Sequence, residues 1–126
     1  RYVEALKDIK GIRLFPYEIE QVNQQLAISN KQFTWNFAYF PILITEEFGI
    51  SRDALYEHMK SQGVLGRRYF YPLITDFEPY KSAPSSSPKG GELVNARKLA
   101  EQVICLPMHP YLTDEEIKRV INTIVK

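Results

Sequence analysis

Hydrophobic positions recur at helical spacing where the chain opens. Tyr2, Leu6 and Ile9 fall at i, i+4 and i+7 and share one face. Lys7 and Lys10 suit the negative end of that helix, and Gly11 suits a left-handed exit. Ile12 to Phe15 then reads as a short strand stopped by Pro16. Residues 17–32 are polar and read as a loop with room for one helical turn. In 33–45, FTWNFAYFPILIT, the aromatics Phe33, Trp35, Phe37 and Tyr39 alternate with Thr34, Asn36 and Ala38, which predicts a strand. The alternation collapses after Phe40 into Ile42, Leu43 and Ile44, predicting burial on both faces. Pro41 has no amide proton and is expected at an edge position or a bulge.

Ser51 is a good N-cap with Asp53 in the first turn, and a helix is predicted to about Gln62, burying Leu55, Met59 and Tyr56 and ending at Gly63. Residues 64–71, VLGRRYFY, read as a returning strand that Pro72 ends or bends. SAPSSSPKGG, between Lys81 and Gly91, gives a flexible surface loop over 82–91. Residues 95–102 predict a short helix with Ala96, Leu99 and Ala100 inward, and Val103 to Leu106 a strand stopped by Pro107. Thr113 and Glu116 form a capping box for the last helix, with Leu112 and Ile117 as its hydrophobic staple. Ile117, Val120, Ile121, Ile124 and Val125 make that helix's apolar stripe. Few strands, aromatic-rich and broken by proline, between helices predict an α+β fold: a small, mainly antiparallel sheet covered by helices.

Length and charge then narrow the classes. The chain has 126 residues, enough for one domain with a real core. A net charge of +1 gives no field that selects nucleic acid or an anionic membrane. No apolar run approaches the ~20 residues of a membrane span. One cysteine, Cys105, excludes an internal disulfide framework. Arg1 opens directly into helical periodicity without a capping residue, which reads as a helix entered partway and an expected domain upstream; a processed terminus on a complete protein is the alternative.

Candidate chemistry is sparse. His58 and His109 lie far apart with no ligand-spaced companion, so a metal site is not expected. Cys105 sits in an apolar strand and reads as a buried thiol. Asp114, Glu115 and Glu116 read as a stabilising first helical turn. Lys89-Gly90-Gly91 lacks phosphate-loop spacing and reads as linker. The segment Gly66-Arg67-Arg68-Tyr69-Phe70-Tyr71-Pro72 stands apart. On a strand, Arg67, Tyr69 and Tyr71 would share one face, and Arg68 and Phe70 the other. Arginine beside tyrosine hydroxyls suits a phosphate or diphosphate, and the rings suit a base or sugar. An amphipathic edge strand with half-buried tyrosines explains the same residues, and chemistry alone does not choose between the two.

Four blocks resemble the C-terminal domain of the DegT/DnrJ/StrS sugar aminotransferases, which share the aspartate-aminotransferase (type I) fold. They are RYVEALKDIKGIRL, the strand ending AYFPILI, SRDALYEHMKSQGV followed by GRRYFYPL, and LAEQVICLPMHPYLTDEEIKRVINTI. The last is the most specific, and together they span nearly the whole chain. The RRYFYPL form is similar to the branch acting on dTDP-4-keto-6-deoxyhexoses.

The resemblance implies a single domain over 1–126, the small C-terminal domain of a longer enzyme, with residues 1–10 the end of an interdomain helix. It implies amino transfer from glutamate through pyridoxal phosphate to a keto group on a nucleotide-linked sugar, in deoxysugar and lipopolysaccharide or O-antigen biosynthesis. The family's Schiff-base lysine and its other cofactor contacts lie in the large domain, and no lysine here sits in that lysine motif, so the fragment alone is expected to be inactive. By position, Arg67, Arg68, Tyr69 and Tyr71 are the substrate-binding candidates, arginine for diphosphate and tyrosine for sugar or phosphate. Many relatives carry a PLH turn after this segment, whereas here Pro72-Leu73 is followed by Ile74. His109 in LPMHP matches the family and is read as structural. The implied partners are the nucleotide sugar, glutamate, the large domain and a second subunit, in the cytoplasm. Trp35, Tyr39, Tyr69 and Tyr71 would be covered by the large domain, leaving an isolated fragment prone to self-association. A sugar dehydratase of the same fold and a non-catalytic nucleotide- or partner-binding module are the competing readings.

Overall fold

A computed structural model describes residues 1–15, 38–81 and 93–125. The predicted loops 17–32 and 82–91, and the part of the aromatic strand at residues 33–37 with Trp35, lie outside the described residues.

Helix α1, Tyr2–Leu6, buries Tyr2 and Leu6 and stops a turn earlier than its periodicity predicts, with Lys7 already at the C-cap. Gly11 has φ +84°, and a Cβ there would come within 2.1 Å of the Phe48 backbone nitrogen, so a side chain has neither room nor an easy backbone angle. The Gly11 carbonyl accepts from the Thr45 amide at 2.8 Å and from Thr45 Oγ1 at 3.2 Å, fixing the entry to the sheet.

The sheet has three antiparallel strands in the order β1 (Ile12–Leu14), β2 (Phe40–Ile44), β3 (Val103–Leu106). Ile12 pairs with Ile44 and Leu14 with Ile42. Phe40 pairs with Leu106 and Ile42 with Ile104. Directly paired residues point to the same face, so these seven apolar side chains form one continuous layer, and all are in the core. Leu43 and Cys105 are buried on the opposite face, as the loss of alternation after Phe40 predicts. The α+β reading, a small antiparallel sheet covered by helices, is what the chain forms.

Pro41 lies in the central strand, not at the sheet edge, and is tolerated for a local reason. Opposite Pro41, Cys105 gives its amide and its carbonyl to Arg67, at 2.8 and 3.0 Å. In an antiparallel ladder, backbone groups alternate in direction. The Pro41 backbone therefore faces the β1 side, where β1 has already ended at the Leu14–Ile42 pair. No ladder bond is lost.

Helix α2, Arg52–Ser61, is capped by Ser51, whose Oγ accepts from the Ala54 amide at 3.1 Å. Leu55 and Met59 are buried, and so is Arg52, which apolar patterning does not predict. A 3-10 turn at Ile74–Asp76 leads into the four-residue α3, Glu78–Lys81. Helix α4, Val94–Gln102, buries Ala100 alone; Leu99 is exposed and Ala96 half-buried, so the predicted inward face is only partly used. Helix α5, Asp114–Val125, carries the predicted capping box. The Thr113 amide donates to Glu116 Oε2 at 2.8 Å, and the Glu116 amide donates to Thr113 Oγ1 at 3.3 Å. Those bonds hold the Glu116 carboxyl below its usual range. Val120 and Ile124 face the core with Ile117 and Ile121 beside them, but Val125 is exposed and Thr123 is buried in the stripe.

The predicted strand 64–71 does not form. It is reduced to a single antiparallel bridge between Arg67 and Cys105 on the free edge of β3. A turn at Tyr69–Phe70 carries the chain away from that edge, and the Tyr71–Pro72 peptide is cis.

Tyr2 ties the chain's first helix to the end of β3. Its ring lies 5.0 Å from Phe40, and its hydroxyl donates to the Pro107 carbonyl at 3.0 Å. Burial pushes its pKa up to about 12. The folded state thus favours the neutral phenol. That contribution is complete below pH about 10, the ordinary tyrosine value, and is lost as pH rises through about 12. Denaturant titrations of the native chain should lose stability across that window, and the Tyr2→Phe variant should show a shallower loss.

Candidate functional site

The segment after α2 is held down by close backbone contact. The Val64 amide donates to the Met59 carbonyl at 2.9 Å, and Val64 is buried. At Gly66, a Cβ would stand 2.8 Å from Ile104 Cδ1 and 3.1 Å from Ile104 Cγ1. Glycine therefore lets the backbone lie against a fully buried residue of β3. One residue later, Arg67 makes its two-way backbone bridge with Cys105.

This bridge borders a cavity of about 540 Å³ at the end of the sheet where β2 begins and β3 finishes, lined by Tyr39, Tyr56, Gly66, Arg67, Cys105 and His109 among others. The Arg67 side chain is exposed, and no carboxylate of the described residues forms an ion pair with it. The Tyr69 hydroxyl donates to that of Tyr39, a lining residue, at 3.0 Å, with ring centroids 4.8 Å apart, while Tyr69 itself lines a neighbouring apolar cavity with Phe70 and Leu99. That hydrogen bond raises the Tyr69 pKa, with some desolvation added. Tyr69 stays a neutral donor and acceptor at ordinary pH. Burial pushes the Cys105 thiol up, partly offset by Arg67, so it is the inert apolar thiol that the sequence predicts. The arrangement offers one guanidinium, a pair of phenols and an exposed imidazole at an open cavity, which suits an anion with an attached polar ring.

The other two candidates face elsewhere. Arg68 Nη1 donates to Asp53 Oδ1 at 3.2 Å, and its guanidinium lies 4.3 Å from the Tyr56 ring and 5.1 Å from the Tyr71 ring. Arg52 Nε donates to the same Asp53 oxygen at 2.8 Å, its Nη1 to the Val103 carbonyl at 2.8 Å, and its guanidinium lies 4.7 Å from Tyr71. Arg52 is 2% exposed, and its Nη2 has no hydrogen-bond partner among the described residues.

Of the four predicted site residues, Arg67 lines the cavity and Tyr69 joins it through Tyr39, while Arg68 and Tyr71 pack over Asp53 and Arg52. The predicted pairing of faces, Arg67 with Tyr69 and Tyr71 against Arg68 with Phe70, fails because the segment turns instead of running as a strand. Phe70 is exposed, its ring tilted 46° to that of Tyr69 at 4.3 Å. His109, read from sequence as structural, is exposed at the cavity. Arg52, Asp53 and Tyr56 were not predicted as part of this group. Their one signal was an Arg-Asp pair at the start of a helix, which usually means capping and solvation.

Among the described residues, no lysine lines the cavity. A cofactor aldehyde would need one to form a Schiff base, so these residues do not fit a pyridoxal-phosphate site.

The chain belongs to the DegT/DnrJ/EryC1/StrS aminotransferase family, whose model matches residues 2–125. It is 37% identical over 98% of its length to a dTDP-4-amino-4,6-dideoxy-D-glucose transaminase of Shigella dysenteriae, and 33% identical over 98% to one of Escherichia coli. It covers 29% and 30% of those two proteins, so it spans less than a third of the curated relatives it matches. Among solved structures it is similar to DesI in the presence of its TDP-sugar product, with a TM-score of 0.76 and 28% identity over 98% of this chain and 27% of that one. Helicobacter pylori PseC, an aminotransferase involved in the biosynthesis of pseudoaminic acid, shares the fold at a TM-score of 0.71 and 18% identity, over 98% of this chain and 29% of its own.

The close approach at Gly66 gives a direct test of the bridge. Gly66→Val should push the segment off Ile104, and amide hydrogen exchange should accelerate at Arg67 and Cys105 while Ile42 and Ile44 stay protected.

Proposed function

We propose that this chain is the substrate-side domain of a pyridoxal-phosphate-dependent nucleotide-sugar aminotransferase. The full enzyme passes an amino group from glutamate to a keto-deoxyhexose linked to dTDP or a similar nucleotide. In this reading the Schiff-base lysine and cofactor contacts come from the large domain, and this domain supplies one wall of the substrate site. The relatives at 33–37% identity are transaminases of a dTDP-linked amino sugar, which supports the substrate class. The reading takes the whole protein as a cytoplasmic homodimer. A lone, buried, free cysteine is compatible with a reducing compartment.

One observation carries the assignment at residue level: the exposed Arg67 guanidinium, without a carboxylate partner among the described residues, fixed by its own backbone at the mouth of the cavity. A backbone held by two hydrogen bonds loses little entropy when its side chain engages a ligand. Arg67 takes the diphosphate through paired N–H donors, and the Tyr39–Tyr69 hydroxyls face the sugar. Arg68 and Tyr71 border the same site from behind and shape it. Domain 1–126 carries no step of the chemistry, so the isolated chain binds the nucleotide sugar weakly and does not transaminate.

In the full-length enzyme, Arg67→Ala should raise KM for the nucleotide sugar by roughly 10- to 100-fold, the scale of lost hydrogen bonds to a charged partner. Pyridoxal phosphate affinity, read from cofactor absorbance, and KM for glutamate should not change. An unaltered KM for the nucleotide sugar would remove Arg67 from the site.

A further inference from the structure

Helix α2 and the loop that carries Arg67 are joined by a charge cluster that no part of the amino-transfer reading requires. A single carboxylate oxygen, Asp53 Oδ1, accepts from Arg52 Nε at 2.8 Å and from Arg68 Nη1 at 3.2 Å. Arg52 is buried beneath the sheet edge and anchored to the Val103 carbonyl of β3. Arg68 belongs to the loop. Tyr71 lies within cation–π range of both guanidiniums, at 4.7 and 5.1 Å, and Tyr56 of α2 lies under Arg68 at 4.3 Å. The carboxylate thus links a rigid anchor to a loop that, among the described residues, has one bridge of its own to the sheet.

The cost of this arrangement points to a purpose beyond stability. Two guanidiniums share one carboxylate, and Arg52 Nη2 stays buried with no partner among the described residues. A buried, incompletely satisfied cation is a poor source of stability, since an apolar side chain of similar size would serve a core better. What the cluster does supply is geometry. Arg68 is immediately adjacent to Arg67. Fixing the side chain of one fixes where the backbone of the other leaves the sheet.

We propose that Arg52, Asp53 and Arg68 form a clamp that positions the Arg67–Tyr71 loop for nucleotide-sugar binding, Asp53 and Arg52 acting as positioning residues without touching the substrate. The inference rests on the substrate-side reading of Arg67. It assigns Arg68 a role different from direct phosphate contact, and the two roles have opposite consequences. If Arg68 gripped phosphate directly, Asp53 would compete for it, and neutralising Asp53 would tighten substrate binding. If the cluster is a clamp, neutralising Asp53 frees the loop and weakens binding.

The test uses the full-length enzyme with dTDP-sugar and glutamate, comparing Asp53→Asn, Arg68→Gln and each combined with Arg67→Ala. Arg68→Gln leaves α2 and the buried arginine untouched, so it remains informative if Asp53→Asn folds poorly. The clamp predicts that each single variant raises KM for the nucleotide sugar about tenfold, with kcat and KM for glutamate little changed. Each should cost clearly less once Arg67 is already alanine, because most of the clamp's effect passes through Arg67. A merely structural role lowers the melting temperature but leaves that KM split absent. Additive losses with Arg67→Ala, or tighter binding in Asp53→Asn, overturn the clamp. Amide exchange over residues 66–73 separates the two layers of the argument. If it does not accelerate in Asp53→Asn or Arg68→Gln, the clamp is wrong whatever the substrate is. If it accelerates while Arg67→Ala leaves KM unaltered, the substrate reading of the site has failed, and the assignment of the clamp to substrate binding fails with it.

Discussion

Cys105 commits both of its backbone hydrogen-bonding groups to Arg67, and much of the architecture follows from that exchange. Because those groups turn outward to Arg67, the backbone of the opposing Pro41 has nothing to donate or accept on the β3 side, and a proline can sit in the central strand. Because Arg67 is paired at the backbone, its side chain is delivered to a fixed place at the end of the sheet. The exchange is possible only because Gly66 has no Cβ to strike Ile104. One tight approach therefore connects core packing on one face of the sheet to the chemistry at its rim.

Two arginines adjacent in sequence end up in different electrostatic situations. Arg67 faces an open cavity without a carboxylate among the described residues, and Arg68 is held between two tyrosine rings and shares Asp53 with a buried arginine. The guanidinium group suits both tasks, since it keeps its charge when desolvated and offers donors in a fixed plane. In the proposed function an anionic ligand is the partner of the first. The second gives the loop its shape.

Most of the fold was legible in the sequence because its signals were local. Ser51 and the Thr113–Glu116 box sit where the helices start, Gly11 sits where the backbone angle requires it, and the run Ile42–Leu43–Ile44 is buried on both faces. The errors arose where tertiary contacts decided the outcome. VLGRRYFY has the composition of a strand, yet only Arg67 finds a partner, because β3 is short and the chain turns at Tyr69–Phe70. The inward face assigned to Leu99 was not filled, because that side chain lies against the half-open apolar cavity shared with Tyr69 and Phe70. The burial of Arg52 had no local signature, since only Val103 and Asp53 make it tolerable. The candidate residues were chosen by type, but which of them line the cavity depended on a turn that alternation could not show.

The central claim is that the Arg67 guanidinium is the group on this domain that grips the substrate's diphosphate. A crystal structure of the full-length enzyme with a dTDP-linked sugar tests it most directly. The account predicts Arg67 nitrogens about 2.7–2.9 Å from diphosphate oxygens, with Arg68 still on Asp53. A nucleotide sugar seated with its diphosphate on Arg68, or away from this cavity, would contradict it.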